Sequence, residues 1–371
     1  MSTAPLLPEG LFTRKPPTLW QRDIPYPQPF YYFNPSNQAW TAASSTSELQ
    51  ASQTSNAHPH NETTPPSQIH LLTWNIDALV PYAKQRMASA LEYLKNLYHD
   101  IQQKPTSSPL IIFFQEMLDS DLRQIQETDW IRENFYVTDL SDEFWEGGYY
   151  GTTTLVEKKV DIQRVFRVHY KATRMQRDGL FVDVNVRAVD DKSTTLRVCN
   201  THLESLTQNP PRRPIQLRIA STYMHGSGPL DQESASSMPI SVPIPHAALL
   251  AGDLNAFAPE DLTAPVECGL QDAFLALGGT DGTEEGYTWG QQAPEELRRK
   301  FGCSRMDKIL FCGGVKAETL ERIGEGVKAH LGDLFEPDSD DSESVDLDVW
   351  VTDHLGLLGE FTILKKAVAG S

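Results

Sequence analysis

Five times between residues 73 and 354, an apolar run of strand length ends on Asp, Asn, Glu or His. The strings are Thr73-Trp74-Asn75-Ile76-Asp77, Ile111-Ile112-Phe113-Phe114-Gln115-Glu116, Thr201-His202-Leu203-Glu204-Ser205, Gly252-Asp253-Leu254-Asn255 and Thr352-Asp353-His354. One such ending is noise. Five spread over most of a chain constrain it to a layered sheet protein whose strand ends meet at one acidic, metal-ready edge. Carboxylates, amides and imidazoles gathered without a Cys or Ser nucleophile suit metal-assisted phosphodiester hydrolysis.

The span of these motifs argues for one large domain. The chain has 371 residues, 39% of them hydrophobic, which suffices for one α/β core plus a tail. Residues 1–67 are rich in Pro, Ser, Thr, Asn and Gln. That composition buries too little apolar surface to offset chain entropy, so a disordered tail is expected there. Its exception is the aromatic cluster Phe30-Tyr31-Tyr32-Phe33, which could dock on the domain or on a protein partner. Order is expected from Gln68, in a catalytic domain over 68–366.

Within that domain strands are expected at His70–Trp74, Leu110–Phe114, Thr152–Val156, Ala247–Ala251, Lys308–Cys312 and Phe361–Leu364. Phe181–Val186 and Leu196–Asn200 read as an antiparallel pair. Helices are expected over Arg86–Asp100, Leu122–Asn134 and Gln216–Met224, and surface loops over 226–245 and 333–348. The sum is an α/β or α+β layered sandwich.

Charge and cysteine usage narrow the function. Fifty acidic against 32 basic residues give a formal charge of −18. Nonspecific duplex affinity comes from Lys and Arg meeting phosphates, so this chain should not coat DNA. A short end or a small phosphodiester remains open to it if a divalent ion offsets the field. Cys199, Cys268, Cys303 and Cys312 lack CxxC spacing, which points to reduced thiols and away from a zinc site. The first residues carry no basic stretch followed by an apolar core, so secretion is not expected. No apolar run approaches the ~18 residues that span a bilayer.

Taken in order, the strings resemble the endonuclease/exonuclease/phosphatase superfamily over residues about 69–364, and within it the tyrosyl-DNA phosphodiesterase 2 group. Thr201-His202-Leu203-Glu204-Ser205 and Tyr287-Thr288-Trp289 discriminate most. The resemblance implies a four-layer, DNase I-like fold of two packed β-sheets flanked by helices. It implies Glu116, with Asp77 and Asp353, at a Mg2+ site, Mn2+ being the alternative ion. A carboxylate at a strand end suits this hard, oxygen-seeking cation. Asn75 is placed on a phosphate oxygen or the attacking water. Asp253 and Asn255, two apart, can face one side, and the resemblance makes Asp253 the group that orients water. His354 would stabilise charge on the phosphate, with Asp307 setting its tautomer, and His202 would stand near the phosphate or leaving group.

Substrate contacts are implied at Trp289, at Tyr150 or its neighbour Tyr149, at Arg177 and at Arg213. One departure stands out: after Gly252-Asp253-Leu254-Asn255 the group continues with Leu-Arg, whereas this chain has Ala256-Phe257. The expected activity is hydrolysis of a 5′-phosphotyrosyl–DNA bond left by topoisomerase 2. The substrate would be a single-stranded or frayed 5′ end, and the enzyme a monomer of the nucleus, with the cytoplasm as a second location. Sister activities on the same fold are the alternatives: abasic endonuclease, deadenylase, phosphoinositide phosphatase or sphingomyelinase.

Overall fold

The structure, a computed structural model, describes residues 20–53, 64–104, 108–228, 240–331 and 348–365. In chain order the strands are β1 Pro25–Gln28, β2 Phe30–Asn34, β3 Ala39–Ala43, β4 Gln68–Asn75, β5 Leu110–Met117, β6 Phe135–Val137, β7 Gly151–Glu157, β8 Asp161–His169 and β9 Asp178–Arg187. They continue with β10 Ser193–Thr201, β11 Ala247–Asp253, β12 Gln271–Asp272, β13 Asp307–Gly313, β14 Val315–Ile323, β15 Lys328–His330, β16 Asp348–Trp350 and β17 Gly356–Ile363. The helices are α1 Thr46–Gln53, α2 Ala83–Gln103, α3 Asp119–Glu127, α4 Asp129–Asn134, α5 Arg213–Met224, α6 Pro259–Glu267, α7 Ala273–Ala276 and α8 Glu295–Phe301.

Period-2 alternation sorts the strand side chains into layers. Leu71, Ile111, Phe113, Val182, Val184, Val198, Leu249 and Ile309 fill the core between two sheets. The alternate residues Leu72, Ile112 and Phe114 face outward, where Met87, Leu91 and Leu94 of α2 and Leu122 and Ile125 of α3 cover them. On the other sheet Cys199, Ala248 and Leu250 face Leu217, Ala220 and Met224 of α5. The result is the expected sandwich, helices outside and two sheets within.

The sheets run β1-β8-β9-β10-β11-β13-β12 and β14-β17-β4-β5-β7-β6-β2-β3. Each holds one parallel pair, β10 with β11 and β4 with β5. The C-terminal ends of those four strands therefore reach one edge of the sandwich. β13 and β17 run antiparallel to β11 and β4, so their N-terminal ends arrive at that edge too. This convergence is what the five strings required.

Two expectations need correction. The single helix over Leu122–Asn134 is two, α3 and α4, because Thr128 between them takes extended dihedrals of φ −82° and ψ 116°. The larger correction concerns the tail. Residues 20–53 are folded: β1 pairs with β8 on one sheet, and β2 pairs with β6 and β3 on the other. Phe30 is fully buried in the inter-sheet core, its ring 5.0 Å from that of Tyr136. Average polarity hid a short segment whose few aromatics seal the edges of both sheets. Residues 1–19 and 54–63 lie outside the described residues, as do 229–239 and 333–347 of the two expected surface loops. At the end of the first loop, Ile240 and Val242 pack against the α5 core.

A consequence for stability follows. Phe30→Ala should cost about 3–5 kcal/mol, the usual loss for a fully buried aromatic, read as a lowered midpoint in urea at unchanged slope. A midpoint equal to that of the native chain would return this segment to the status of a loose tail.

Candidate active site

Asp253 is the centre of the edge. It closes β11 opposite Asp307, the first residue of β13, and is 2% exposed. Gly252 before it is required by the close approach of β10: at φ 149°, an added Cβ would lie 1.8 Å from the Thr201 carbonyl oxygen. Three side chains meet the Asp253 carboxylate. Asn75, at the end of β4, donates from Nδ2 at 3.0 Å. His202, just past β10, places Nε2 at 3.3 Å, and His354 places Nε2 at 3.8 Å.

The two imidazoles are in different states. Burial, then the positive Arg177 and His354, hold His202 well below the usual histidine range. It is neutral, and Arg177 donates from Nη1 to its Nδ1 at 3.0 Å, which leaves the proton on Nε2 facing Asp253. Burial would lower His354 as well, but Asp307 and Asp253 outweigh it and raise it well above the usual range. Its Nδ1 donates to Asp307 at 2.8 Å. His354 is thus an imidazolium at neutral pH, fixed in orientation by one aspartate and aimed at another.

Glu116 stands at a β-bulge, where the β5–β7 register shifts between Phe114 and Met117. The bulge turns its carboxylate toward the site. Its φ is 55°, and Asp77 at 56° and Asn255 at 48° share this left-handed conformation. Such backbone is costly for residues with a Cβ and persists where the surroundings over-determine it. Here they do: Asn75 donates to Glu116 at 3.4 Å, and the Ala78 amide at 3.0 Å. The Asn255 amide donates to Asp253 at 2.8 Å, and its side chain to the Leu203 carbonyl at 3.2 Å. Burial and then the Asp77 charge push the Glu116 carboxyl up to about 7. Burial and then the Asp353 charge push Asp77 up to about 6. A divalent cation would relieve this crowding of carboxylates: Glu116 and Asp253 present oxygens within 4.8 Å of each other, and Asp77 is raised by burial and the neighbouring Asp353 charge. The donor set fits a hard metal ion.

The implied substrate residues separate into two pairs. Arg177 and Tyr150 line the site, the guanidinium 5.3 Å from the Tyr150 ring and that ring 6.2 Å from His202. Arg213 does not serve a phosphate. It is buried against Asp261 at 2.9 Å and bonded to the Leu206 carbonyl at 2.8 Å, so its charge is neutralised within the fold. Trp289 is only 9% exposed, and its indole N–H donates to Asp353 at 2.7 Å. Little of its face remains for a base, and its contact is that of a positioning residue. Phe257, which stands where the resemblance expects arginine, is 41% exposed and packs its ring over Arg213 at 4.3 Å.

Several residues that hold the site escaped the sequence reading. Arg86 is buried and donates to the carbonyls of Ile76, Asp77, Val80, Pro81 and Val351, tying the Asp77 loop to the approach to Asp353. Glu204 accepts from Thr173 and the Arg174 amide, both at 2.8 Å, and so sets the loop that carries Arg177. Thr288 receives the Asp307 amide at 2.9 Å, and Trp74 donates to the His354 carbonyl at 3.2 Å. Asn200 and Gln115, bonded at 2.8 Å, form a polar rung between the sheets beneath the site. For Glu204, Thr288, Trp74 and Gln115 the signal in the sequence was membership of the motif strings. Arg298-Arg299-Lys300, the only run of three cations in the chain, is exposed on α8 near Trp289, and the Phe301 and Trp289 rings lie 6.5 Å apart.

The chain matches the Endonuclease/Exonuclease/phosphatase family over residues 72–354. It is 23% identical over 248 residues to the 5′-tyrosyl-DNA phosphodiesterase of Caenorhabditis elegans, a span of 66% of this chain and 58% of that protein. It is 24% identical to the Tyrosyl-DNA phosphodiesterase 2 of Homo sapiens, over 97% of this chain and 82% of the relative. Among solved structures, humanized D. rerio TDP2 superposes with a TM-score of 0.54 at 20% identity, covering 80% of this chain and 99% of that one. D. rerio TDP2 complexed with single strand DNA product superposes with a TM-score of 0.52 at 18% identity, with the same coverage. These likenesses confirm the DNase I-like sandwich.

Proposed function

The chain belongs to the endonuclease/exonuclease/phosphatase family, and on that premise we propose that it is a Mg2+-dependent phosphodiesterase that hydrolyses 5′-phosphotyrosyl–DNA bonds left by topoisomerase 2. The observation that carries the chemistry is the meeting of Asn75, His202 and His354 on the one carboxylate of Asp253. The relatives named for 5′-tyrosyl-DNA cleavage, and a TDP2 structure solved with a single-stranded DNA product, support the substrate.

Each side chain then has a task. Asp253 accepts the proton of a water and aims it in line with the leaving tyrosyl oxygen. The His354 imidazolium and the side-chain amides of Asn75 and Asn255 meet the charge that grows on the nonbridging oxygens. His202, neutral and proton-bearing at Nε2, is a donor to the same group. Glu116, with Asp77 and Asp353, would hold Mg2+, or Mn2+ in its place, and the bound ion would supply electrostatic stabilisation of the phosphate. No serine or cysteine stands among these groups, so hydrolysis is direct.

The strand is received by stacking more than by ion pairs. Arg213 is committed to Asp261, and Arg305 to Asp272 at 2.7 Å. Phe257 and Tyr150 offer rings, and the α8 cations offer a limited phosphate contact. This suits a short single-stranded end and not a long duplex, as does the net charge. A role in DNA repair in the nucleus follows from that substrate. Among the described residues no helix is long and apolar enough to cross a membrane.

The test is a substrate panel with Mg2+: 5′-tyrosyl DNA, 3′-tyrosyl DNA, abasic duplex, poly(A), inositol phosphates and sphingomyelin. We expect 5′-tyrosyl DNA to exceed every other member by at least about a hundredfold in kcat/KM, a difference of about 2.7 kcal/mol in transition-state stabilisation. Preference for another member would move the chain to a sister activity with the same residues at work.

A further inference from the structure

We propose that Trp20 and Arg22, which precede the residues matched to the family, latch one loop of the site in place: Arg22 pairs with Glu146 and thereby positions residues 146–150, Tyr150 among them, against His202. The inference rests on the functional reading only for which site the loop borders.

The contacts are specific. Arg22 donates from Nη1 to Glu146 Oε2 at 2.5 Å and from Nη2 to Glu146 Oε1, and its Nη1 also reaches the Tyr170 carbonyl at 3.0 Å. Trp20 stacks on His169 with ring centroids 4.1 Å apart and planes 14° apart. On the other side of Arg22, the Asp23 amide donates to the His169 carbonyl at 2.8 Å, and the Lys171 amide donates to Asp23 at 2.8 Å. The segment is therefore pinned both before and after Arg22.

Glu146 needs this cation. Its side chain is 9% exposed. Burial raises its carboxyl, Arg22 opposes that rise, and the like charge of Asp178 adds to it. Glu146 lines one small pocket with Tyr150, Arg177 and His202. On its N-terminal side the loop is fixed by Trp145, buried and bonded to the Thr152 carbonyl at 3.2 Å. Without Arg22, a largely desolvated carboxylate would face Asp178 and turn toward water, and the residues between it and Tyr150 would follow.

The experiment uses the full chain and three forms: wild type, Arg22→Ala and the double variant Arg22→Ala/Glu146→Gln. Amide hydrogen exchange over residues 146–150 is measured beside hydrolysis of bis(p-nitrophenyl) phosphate with Mg2+. In Arg22→Ala we expect exchange about tenfold faster and KM about tenfold higher, the scale of one charge-assisted hydrogen bond. Removing the stranded charge in the double variant should return both to within about threefold of wild type. Exchange across β4 and β5 is the control, and an equal rise there would mean general loosening and overturn the latch. Unchanged exchange in Arg22→Ala overturns it too, as does a loss that Glu146→Gln does not relieve. A wild type inactive on the diester counts against the functional reading, while the exchange measurement still decides the latch.

Discussion

Asp253→Asn should fold like the native chain and lose at least about a thousandfold in single-turnover cleavage of a phosphodiester, and His354→Ala should lose a similar amount. The geometry explains both. Asp253 is the acceptor on which Asn75 and the two imidazoles converge, and an amide there cannot take up the proton of the attacking water. The asparagine also removes one of the charges that keep His354 protonated. Because the two residues act on one chemical step, the double variant should lose far less than the product of the single losses. Substrate affinity should not fall in Asp253→Asn: Asp307, the larger of the two charges that raise His354, still holds its proton, and the charge removed is one that repels a phosphate. A double loss equal to the product would show that the residues serve separate steps.

Glu116→Gln should abolish the response to Mg2+ while preserving the fold. The carboxyl of Glu116 goes up to about 7 and that of Asp77 up to about 6. A carboxyl with a raised folded value favours the fold at low pH. That advantage for Glu116 is lost as pH rises from the ordinary 4.5 through about 7. The metal-free protein therefore weakens over that window, and a cation that binds the ionised cluster restores stability. In the wild type, added Mg2+ should raise Tm at pH 8 and have little effect at pH 5. In Glu116→Gln it should leave Tm unchanged at both. Full activity of this variant, or of the wild type in excess EDTA, would remove Glu116 from the metal site.

Much of this protein was legible in one dimension because strand periodicity and strand ends are local properties. Leu110–Phe114 reads as a buried strand from its own residues, and Glu116 as its polar terminus; the structure places both as expected. The same holds for the positions of Asn75, Asp253 and His354, whose types and order carried the family resemblance. What local pattern could not show was commitment. Arg213 and Trp289 look available in a sequence, yet one is bound to Asp261 and the other to Asp353. Those partners lie 48 and 64 residues away; the packing of α5 beside α6 selects the first, and the bridging of Trp289 to Ser304 and His354 selects the second.

The tail shows the same division. Its average composition argues for disorder, and for residues 20–53 that average was misleading, because Phe30 finds a core built by strands far downstream. The sequence by itself determined the layered architecture and the chemical types gathered at one edge, since hydrophobic period and strand termini are set residue by residue. Only the tertiary structure decided the proton positions on His202 and His354, the left-handed turns at Asp77, Glu116 and Asn255, and the attachment of Arg22 to Glu146. Each of these depends on burial and on charges brought together by long-range pairing, which no local window contains.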